Sequence, residues 1–390
     1  MPEHRTQIRQ KRLLEQLEFH GLDALVLNPG PSLLYLTGLS FHLSERPVLA
    51  IFRLDGSPII VLPELEAGKL LQASFEARSF TYGEDPASWV RAFQAAADEA
   101  SLDYRRVGVE PTRLRVLELR FLEEAAPRAA YLNGEAVVSA LRARKEAHEL
   151  GQIRRAVGVA EAALQSTLPS VQPGLTEAEL AQELSIQLIR AGSEPELPFL
   201  PIVAFGPNAA NPHAVPTRQA LREGDLILID WGANVDGYFS DLTRVFSWGE
   251  TDARLREIAQ VVDEANAAAR DRAAPGILAS EVDGAARDVI TSAGFGDLFT
   301  HRTGHGLGLE VHEAPYIRSD NDQELEPGMV FTIEPGIYMP GVGGVRIEDD
   351  VAITQGGIEV LSTAGRGLAD ISSETARSHV SDPVSRTASR

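Results

Sequence analysis

The chain of 390 residues is 44% hydrophobic and 24% charged, with a formal net charge of −20 at pH 7. Its length allows two globular domains with ample cores. Its acidity argues against nucleic acid or an anionic membrane as the main partner, because both attract concentrated positive charge. With no cysteine, the chain can form neither disulfides nor thiolate metal sites, and it has no cysteine nucleophile.

The N-terminal stretch MPEHRTQIRQKRLLEQLEFHG carries charges throughout. It lacks the apolar core of a signal peptide, and no run of about 18 apolar residues suggests a membrane span. We therefore expect a cytoplasmic protein with no membrane partner.

Residues 1–133 alternate between helical and strand patterns, which predicts a small α/β domain. Helices are predicted at 8–20, where Gly21 stops the helix, at 88–100 and at 112–125. Strands are predicted at DALVL (23–27), at RVGVE and, as a pair around Asp55-Gly56, at PVLAIFRL and PIIVLPE.

The pattern changes near residue 133. Apolar residues at helical spacing from Leu150 to Leu164 predict a long helix, and Thr176-Glu177-Ala178-Glu179 is a capping box that opens another. Residues 198–361 are rich in strand patterns, with helices predicted at roughly 252–272 and 279–293. We place a second, larger domain at 134–371. The remaining residues, 372–390, have no apolar periodicity and are interpreted as a mobile tail.

Two aspartates lie within the apolar runs of LILIDWGANVDGYFSDLTRVF, residues 226–246. The stretch Asn234-Val235-Asp236-Gly237 is typical of a hairpin turn. A turn centred between Val235 and Asp236 would place Asp230 directly opposite Asp241, where like charges repel. Either these carboxylates are solvated or protonated, or a divalent cation lies between them.

A second hairpin, VFTIEPGIYMPGVGGVRIEDDVAI at 330–353, repeats this arrangement. A turn centred on Gly341 would place Glu334 opposite Glu348, with Arg346 on the same sheet face as Glu348. Four converging carboxylates would carry a charge of about −4, which two divalent ions would neutralise. Oxygen ligands with one imidazole suit Mn²⁺, Co²⁺ or Zn²⁺.

The imidazole is expected from THRTGHGLGLEVHEAPY, residues 300–316, which holds His301, His305 and His312. The glycines that flank His305 would let the backbone come close to whatever His305 binds. A dinucleotide-binding loop is a weaker interpretation of GHGLG, because no buried strand precedes it and the fingerprint is incomplete. A structural histidine remains an alternative to a metal ligand.

The sequence resembles the metal-ligand pattern of the pita-bread-fold metallopeptidases at five residues: Asp230, Asp241, His305, Glu334 and Glu348. The resemblance extends to the surrounding strings IDWGANVDGYFSDLTR, GHGLG, IEPG and RIED. That family includes methionine aminopeptidase, Xaa-Pro aminopeptidase, prolidase and the metal-free creatinase. The resemblance covers about residues 135–365. It implies an α+β chain, with a C-terminal pita-bread (creatinase/aminopeptidase) domain after a smaller α/β creatinase-type N-terminal domain. The N-terminal part resembles that of the prolidase and Xaa-Pro aminopeptidase branch, and a homodimer is expected.

The resemblance implies two divalent metal ions, with Mn²⁺ as the first choice and Co²⁺ or Zn²⁺ as alternatives. Asp241 and Glu348 would bridge both ions, Asp230 would bind one, and His305 and Glu334 would bind the other. Two such ions would lower the pKa of a bound water to near neutrality, and the resulting hydroxide would be the nucleophile that attacks the scissile carbonyl. Glu334 would also pass a proton to the leaving nitrogen.

Other residues match positions around the metals in the same family. His213 in NPHAVP would stabilise the tetrahedral oxyanion, and His312 in VHEAP would orient the substrate carbonyl. His301, Tyr338 and Arg346 match positions that line the site in the proline-specific branch. Packing is the alternative role for His301 and Tyr338, and a salt bridge to the ligand carboxylates is the alternative for Arg346.

The expected reaction is hydrolysis of the Xaa-Pro bond, a tertiary amide without N–H, in a proline-containing dipeptide or oligopeptide. A dipeptidase needs a cation for the prolyl carboxylate, whereas an aminopeptidase leaves that end open. Some microbial prolidases have an arginine after HE-x-P, where this chain has Tyr316. We interpret Arg46, in LTGLSFHLSERP, either as the substitute or as an exposed loop cation, and Arg318 is a further candidate.

Prolidase is therefore the preferred interpretation, and Xaa-Pro aminopeptidase is the alternative. A non-catalytic pita-bread binding module is a third interpretation, disfavoured because such proteins have typically lost ligands. Creatinase-like chemistry is also disfavoured, since all five ligand positions hold residues that can bind a metal.

Overall fold

The computed structural model describes residues 2–373. The chain divides into two compact units, Met1–Arg142 and Ala143–Arg390. The first unit extends past the boundary expected near residue 133, because the helix Glu135–Arg142 packs against the helix Pro2–His20. The tail expected at 372–390 lies outside the described residues from position 374 onward.

The first unit has one mixed sheet with strand order β4-β3-β2-β1-β5-β6. Strand β1 runs parallel to β5 and antiparallel to β2. Every helix and strand expected in this unit forms, and α2, α5, β4 and β6 are additional. The helices are α1 (Pro2–His20), α2 (Pro31–Thr37), α3 (Pro86–Ala100), α4 (Val116–Ala125) and α5 (Glu135–Arg142). The strands are β1 (Ala24–Leu27), β2 (Leu49–Arg53), β3 (Ile59–Pro63), β4 (Arg78–Tyr82), β5 (Arg106–Val109) and β6 (Ala130–Asn133).

Both faces of this sheet are covered. Ala24 and Val26 of β1 belong to the core formed with α3 and α4, and the intervening Leu25 and Leu27 are buried as well. Because successive strand residues point to opposite faces, a continuous apolar run such as ALVL fits a sheet buried on both sides. The α/β character predicted for this unit follows from that pattern.

The second unit has two main sheets, ordered β19-β11-β8-β7 and β13-β12-β14-β17-β18, and two short hairpins, β9-β10 and β15-β16. Its helices are α6 (Ala147–Thr167), α7 (Glu177–Ala191), α8 (Ala253–Arg272) and α9 (Ala279–Ser292). Its strands are β7 (Ile202–Phe205), β8 (Leu226–Trp231), β9 (Asn234–Val235), β10 (Tyr238–Phe239), β11 (Leu242–Ser247), β12 (Gly304–Gly306), β13 (Glu313–Ile317), β14 (Val330–Ile333), β15 (Gly336–Met339), β16 (Gly343–Arg346), β17 (Asp349–Thr354), β18 (Gly357–Val360) and β19 (Ala369–Asp370).

The ends of α7 form as the sequence predicts. Thr176 Oγ1 accepts the N–H of Glu179 at 3.2 Å, and the Glu179 carboxylate accepts the N–H of Thr176 at 2.9 Å. These two bonds are the reciprocal pair of a capping box. Gly192 ends the helix with φ of 110°, in the left-handed region that favours glycine.

The first hairpin differs from its predicted register by two residues. Thr243, not Asp241, lies opposite Asp230. The turn is centred on Asp236-Gly237, whose φ values of 53° and 80° match the tight hairpin turn that twisted strands prefer. Asp241 precedes Thr243 by two residues, so the face that it shares with Asp230 is unchanged.

The second hairpin has the predicted register. Gly336 pairs with Arg346, and Ile333 pairs with Asp349. Glu334 and Glu348 lie between these two pairs, at opposed positions. Within residues 2–373, no helix combines the length and apolar composition needed to cross a membrane.

Candidate metal centre

The five residues expected to bind metal come together in the second unit, each in or beside a strand. Ligand atoms of Asp241, His305 and Glu348 all lie within 4.8 Å of one another. His305 Nε2 is 3.7 Å from Asp241 Oδ2 and 3.3 Å from Glu334 Oε1. Together with Asp230, these side chains line a cavity of about 690 Å³.

Burial and mutual repulsion disfavour the charged forms of the carboxylates. Burial raises the pKa values of Asp241 and Glu348 well above their usual range, and neighbouring carboxylates raise both values further. Burial also raises the pKa of Glu334 to about 7 and that of Asp230 above its usual value, although Arg346 opposes both shifts. Such a cluster needs added positive charge to be fully ionised near neutral pH.

The two oxygens of Asp230 differ in their partners. Oδ2 accepts a hydrogen bond from Arg346 Nη2, whereas Oδ1 is buried and has no hydrogen-bond partner in the described part of the chain. A bound cation would satisfy this oxygen. Carboxylate oxygens with one imidazole also match the ligand preference of divalent ions such as Mn²⁺ or Zn²⁺, so the residues present fit a metal.

His305 presents one ring nitrogen to the carboxylates. Its Nδ1 lies 3.2 Å from the Gly306 carbonyl oxygen, which assigns the proton to Nδ1 and leaves Nε2 as an acceptor. Burial lowers the pKa of His305 well below its usual value. A neutral ring held by a carbonyl at one nitrogen is the arrangement that metal-binding histidines use.

The glycines beside His305 have a different role from the one expected. A Cβ at Gly304 would lie 1.8 Å from the Thr332 carbonyl oxygen, and a Cβ at Gly306 would lie 2.3 Å from that of Ala314. The close approach is therefore between β12 and its neighbouring strands, rather than between the backbone and a ligand of His305.

Arg346, Tyr338 and His301 form a chain of hydrogen bonds that begins at Asp230. Arg346 donates to Thr243 Oγ1 at 3.0 Å and to the Tyr338 hydroxyl at 2.9 Å. His301 Nδ1 is 2.7 Å from the Arg302 carbonyl oxygen and therefore carries the proton, so its Nε2 accepts from the Tyr338 hydroxyl at 2.9 Å. Burial lowers the pKa of His301 to about 4 and raises that of Tyr338 to about 12.

His213 and His312 also line the cavity. The ring of His312 lies 4.3 Å from that of His305, centroid to centroid, and nearly perpendicular to it. Burial lowers the pKa of His312. Arg46 belongs to the first unit, where its guanidinium pairs with Glu45 at 2.8 Å and Glu84 at 3.1 Å.

Sequence reasoning missed two residues of the site. Asp350 is fully buried, and its Oδ2 accepts the backbone N–H of Asp241 at 3.1 Å. Arg302 lines the cavity, with its Cζ 4.8 Å from the centre of the Tyr316 ring. The second aspartate of RIEDD, which is Asp350, and the arginine of HRTGH were the available signals. Neither could be interpreted without knowing which residues face the cavity.

Residues 151–355, more than half of the chain, match the model of metallopeptidase family M24. Residues 9–144 match the creatinase/prolidase N-terminal domain. The two matches confirm the predicted fold, a pita-bread domain after a creatinase-type N-terminal domain.

Individual relatives are similar over nearly their whole length. An Xaa-Pro dipeptidase of Lactobacillus helveticus is 36% identical over 359 residues, which cover 92% of this chain and 97% of that protein. The crystal structure of dipeptidase PepE from Mycobacterium ulcerans has a TM-score of 0.88 at 32% identity, covering 95% of this chain and 99% of that one. The prolidase from Thermococcus sibiricus has a TM-score of 0.88 at 32% identity, covering 93% and 98%. This chain therefore belongs to metallopeptidase family M24.

Proposed function

We propose that this chain is a prolidase, which hydrolyses the Xaa-Pro bond of dipeptides. The observation that carries the proposal is the convergence of three buried carboxylates, one partly buried carboxylate and one neutral imidazole on a single cavity. They belong to Asp230, Asp241, Glu348, Glu334 and His305. The relatives named Xaa-Pro dipeptidase and prolidase support the choice of substrate. Cleavage of longer peptides by an Xaa-Pro aminopeptidase is the alternative.

Five residues would hold two divalent ions, for which we propose Mn²⁺. These residues are Asp230, Asp241, His305, Glu334 and Glu348. Asp230 Oδ1, which is buried and has no hydrogen-bond partner among the described residues, supports this assignment. When bound, such ions polarise the scissile carbonyl and lower the pKa of water to near neutrality.

The other residues of the cavity divide the remaining tasks. His213 would donate a hydrogen bond to the oxyanion of the tetrahedral intermediate. Glu334 would deliver a proton to the prolyl nitrogen, which has none of its own and must leave as an amine. Both ring nitrogens of His301 already have partners, so this residue would shape the cavity wall and would not transfer protons.

The carboxylate of a dipeptide needs a cation at the far end of the cavity. Arg346 is committed to Asp230, and Arg318 pairs with Asp320 at 2.9 Å. Arg302 forms no ion pair with any residue that the structure describes, and the ring of Tyr316 supports its guanidinium. We therefore propose Arg302 as the carboxylate clamp, ahead of Arg318 and Arg46.

The deciding experiment uses protein stripped by a chelator and then reloaded with Mn²⁺, assayed on Ala-Pro, Ala-Pro-Ala and Ala-Ala. Metal-dependent cleavage of Ala-Pro alone would support the prolidase. Cleavage of Ala-Pro-Ala as well, or instead, would indicate an aminopeptidase. No metal-dependent cleavage of any peptide would favour the binding module. Asp241→Asn is the matched control for metal dependence.

A homodimer and a cytoplasmic location belong to the same proposal. The resemblance to the prolidase branch supports the dimer. Sedimentation equilibrium would test the dimer, which should have twice the mass of the 42.2 kDa chain.

A further inference from the structure

Glu177, the first residue of α7, is a carboxylate with no exposed surface. Within residues 2–373, it forms no ion pair with a lysine or arginine. Leaving a buried charge without a counter-ion is costly unless hydrogen bonds satisfy it. The donors that satisfy Glu177 come from a single segment, residues 205–217.

Five hydrogen bonds join Glu177 to the two ends of this segment. At one end, Oε1 accepts from the Phe205 N–H at 2.7 Å, and the Asn208 side-chain amide donates to both oxygens at 3.0 and 2.9 Å. At the other end, Oε2 accepts from the N–H and the hydroxyl of Thr217, at 2.8 and 2.6 Å. The positive end of the α7 dipole further favours the negative charge there.

His213 lies between these two anchors and lines the cavity. Its imidazole is exposed and makes no hydrogen bond to any described residue, so the backbone alone fixes its position. That backbone has further hydrogen bonds next to His213. The His213 N–H donates to Asn211 Oδ1 at 3.1 Å, and the Pro212 carbonyl accepts from Arg346 at 3.3 Å.

We propose that Glu177 is a positioning residue for His213. It contacts neither the cavity nor the five ligand residues, but it fastens both ends of the segment that presents the imidazole. Charge-assisted hydrogen bonds are stronger than neutral ones and strongly directional, so a neutral side chain would hold the segment less firmly. The inference rests on the proposed function, in which His213 stabilises the oxyanion.

A double-mutant cycle tests this coupling in the Mn²⁺-loaded full chain. Glu177→Gln should lower kcat for Ala-Pro by about tenfold or more, with KM nearly unchanged, because the oxyanion contact exists only in the transition state. His213→Asn should lower kcat by about 10²-fold. Glu177→Gln should then cost less than about threefold in the His213→Asn background, since residues that act through one another are not additive.

The matched control is Glu149→Gln, at another buried glutamate near a helix N-terminus. Glu149 accepts hydrogen bonds from the Tyr238 hydroxyl at 3.0 Å and the Glu146 N–H at 2.9 Å, and neither partner lines the cavity. This variant should lose stability as Glu177→Gln does, but its kcat should stay within about twofold of the wild type.

The NMR signals of the His213 imidazole, identified by their loss in His213→Asn, provide a readout that does not need activity. They are recorded with diamagnetic Zn²⁺ in place of Mn²⁺, because paramagnetic Mn²⁺ would broaden them beyond detection. They should shift or broaden in Glu177→Gln and stay unchanged in Glu149→Gln. If Glu177→Gln does not fold, Thr217→Val removes one donor of the same anchor and should give the same changes at smaller size. The positioning role would be overturned if the two substitutions lowered kcat by independent factors that multiply in the double variant. Unchanged His213 signals in Glu177→Gln would overturn it as well. Inactive wild-type protein with a shifted His213 signal would overturn only the proposed function.

Discussion

Arg302 is the residue that we propose to distinguish dipeptides from longer peptides. If its guanidinium binds the prolyl carboxylate, Arg302→Ala should raise KM for Ala-Pro by about tenfold or more, since one charge-assisted pair contributes roughly 1.5–3 kcal/mol. The amide Ala-Pro-NH₂ has no carboxylate. In the wild type, KM for this amide should therefore be higher than KM for Ala-Pro, and Arg302→Ala should leave KM for the amide unchanged. Steady-state kinetics on both substrates provide the measurement.

The same pair of substrates separates the rival cations. Arg318→Ala and Arg46→Ala should change KM for Ala-Pro little if Arg302 is the clamp. A selective effect of Arg46→Ala on the dipeptide would instead identify a clamp from the first unit. If Arg302→Ala raised KM for Ala-Pro and for Ala-Pro-NH₂ equally, this residue would shape the cavity without binding the carboxylate.

His301 should make stability depend on pH in a defined window. Its pKa is about 4 in the folded chain and 6.5 in the unfolded chain, because burial opposes the charged ring. The unfolded state therefore binds more protons between these values, and stability falls as pH decreases from 6.5 towards 4. Between pH 7 and pH 5, the wild type should lose about 2 kcal/mol more than His301→Asn.

Urea unfolding at several pH values, under the same metal conditions, measures this difference. Other titrating groups change both proteins alike, so only the difference between the two curves reports on His301. A constant difference from pH 7 to pH 5 would show that the ring is accessible to protons in the folded chain.

Residue identities explain why part of the site was predictable. Acidic residues within apolar strand runs conflict with burial unless they bind something, and this conflict marks Asp230, Asp241, Glu334 and Glu348 in the sequence. Arg302 causes no such conflict, because an arginine in a polar loop is ordinary. Asp350 does lie in an apolar strand run, but its acidic neighbours Glu348 and Asp349 gave no reason to single it out. Only the packing of strands shows which way these side chains face.

At the scale of elements, helix α9 fixes the segment that leads into β12. Arg287 pairs with the buried Asp283 at 2.9 Å and donates to the carbonyl oxygens of Phe299 and His301. Asp283 in turn accepts from the N–H and hydroxyl of Thr303. Arg287→Ala leaves a buried carboxylate without its cation, so we expect a loss of about 3 kcal/mol in unfolding free energy.

The segment 299–303 should also become mobile in Arg287→Ala, with faster amide hydrogen exchange and a lower kcat on Ala-Pro. Arg155→Ala is the control, because Arg155 forms an exposed pair with Asp236 at 3.3 Å, and such pairs contribute about 1 kcal/mol or less. Equal losses in the two variants would contradict the assignment of α9 as the support of this segment.

The two hairpins show how far element geometry follows from sequence. The second turn contains Gly341 at its centre, between two apolar runs, and its register was predicted correctly. In the first, Asn234-Val235-Asp236-Gly237 allows more than one two-residue turn, and Asp-Gly formed rather than Val-Asp. Because a strand repeats every two residues, the error changed which residues oppose each other but not which face the aspartates share.

At the scale of the whole molecule, the order of elements was largely predictable, since long apolar periodicities and glycine stops mark most helices and strands. Short elements such as α2 and β19 were not, because a few residues carry no periodicity. The limit between the units depends on α5, which packs against α1, and this is a contact between distant parts of the chain that composition cannot show.

Metal binding should couple the stability of the molecule to pH. Burial raises the pKa of Glu334 to about 7 and moves those of Asp241 and Glu348 in the same direction. A carboxyl whose pKa is higher in the folded than in the unfolded chain stabilises the fold only while it is protonated. In chelator-stripped protein, the unfolding free energy should therefore fall as pH rises through the pKa of the folded state. Metal ions bind carboxylates in their ionised form, so Mn²⁺ should bind more tightly as pH rises.

Thermal unfolding with and without Mn²⁺ tests this coupling. A hundredfold excess over Kd should add about 2.7 kcal/mol to the unfolding free energy, and the gain at a fixed Mn²⁺ concentration should be larger at pH 8 than at pH 6. Asp241→Asn should remove most of the gain. Glu334→Gln should reduce its pH dependence, because the group that titrates near 7 is gone. If the increase in unfolding free energy on adding Mn²⁺ is equal at both pH values, ionisation of these carboxylates does not limit the affinity for Mn²⁺. That result, or an increase that persists in Asp241→Asn, would mean that Mn²⁺ binds elsewhere.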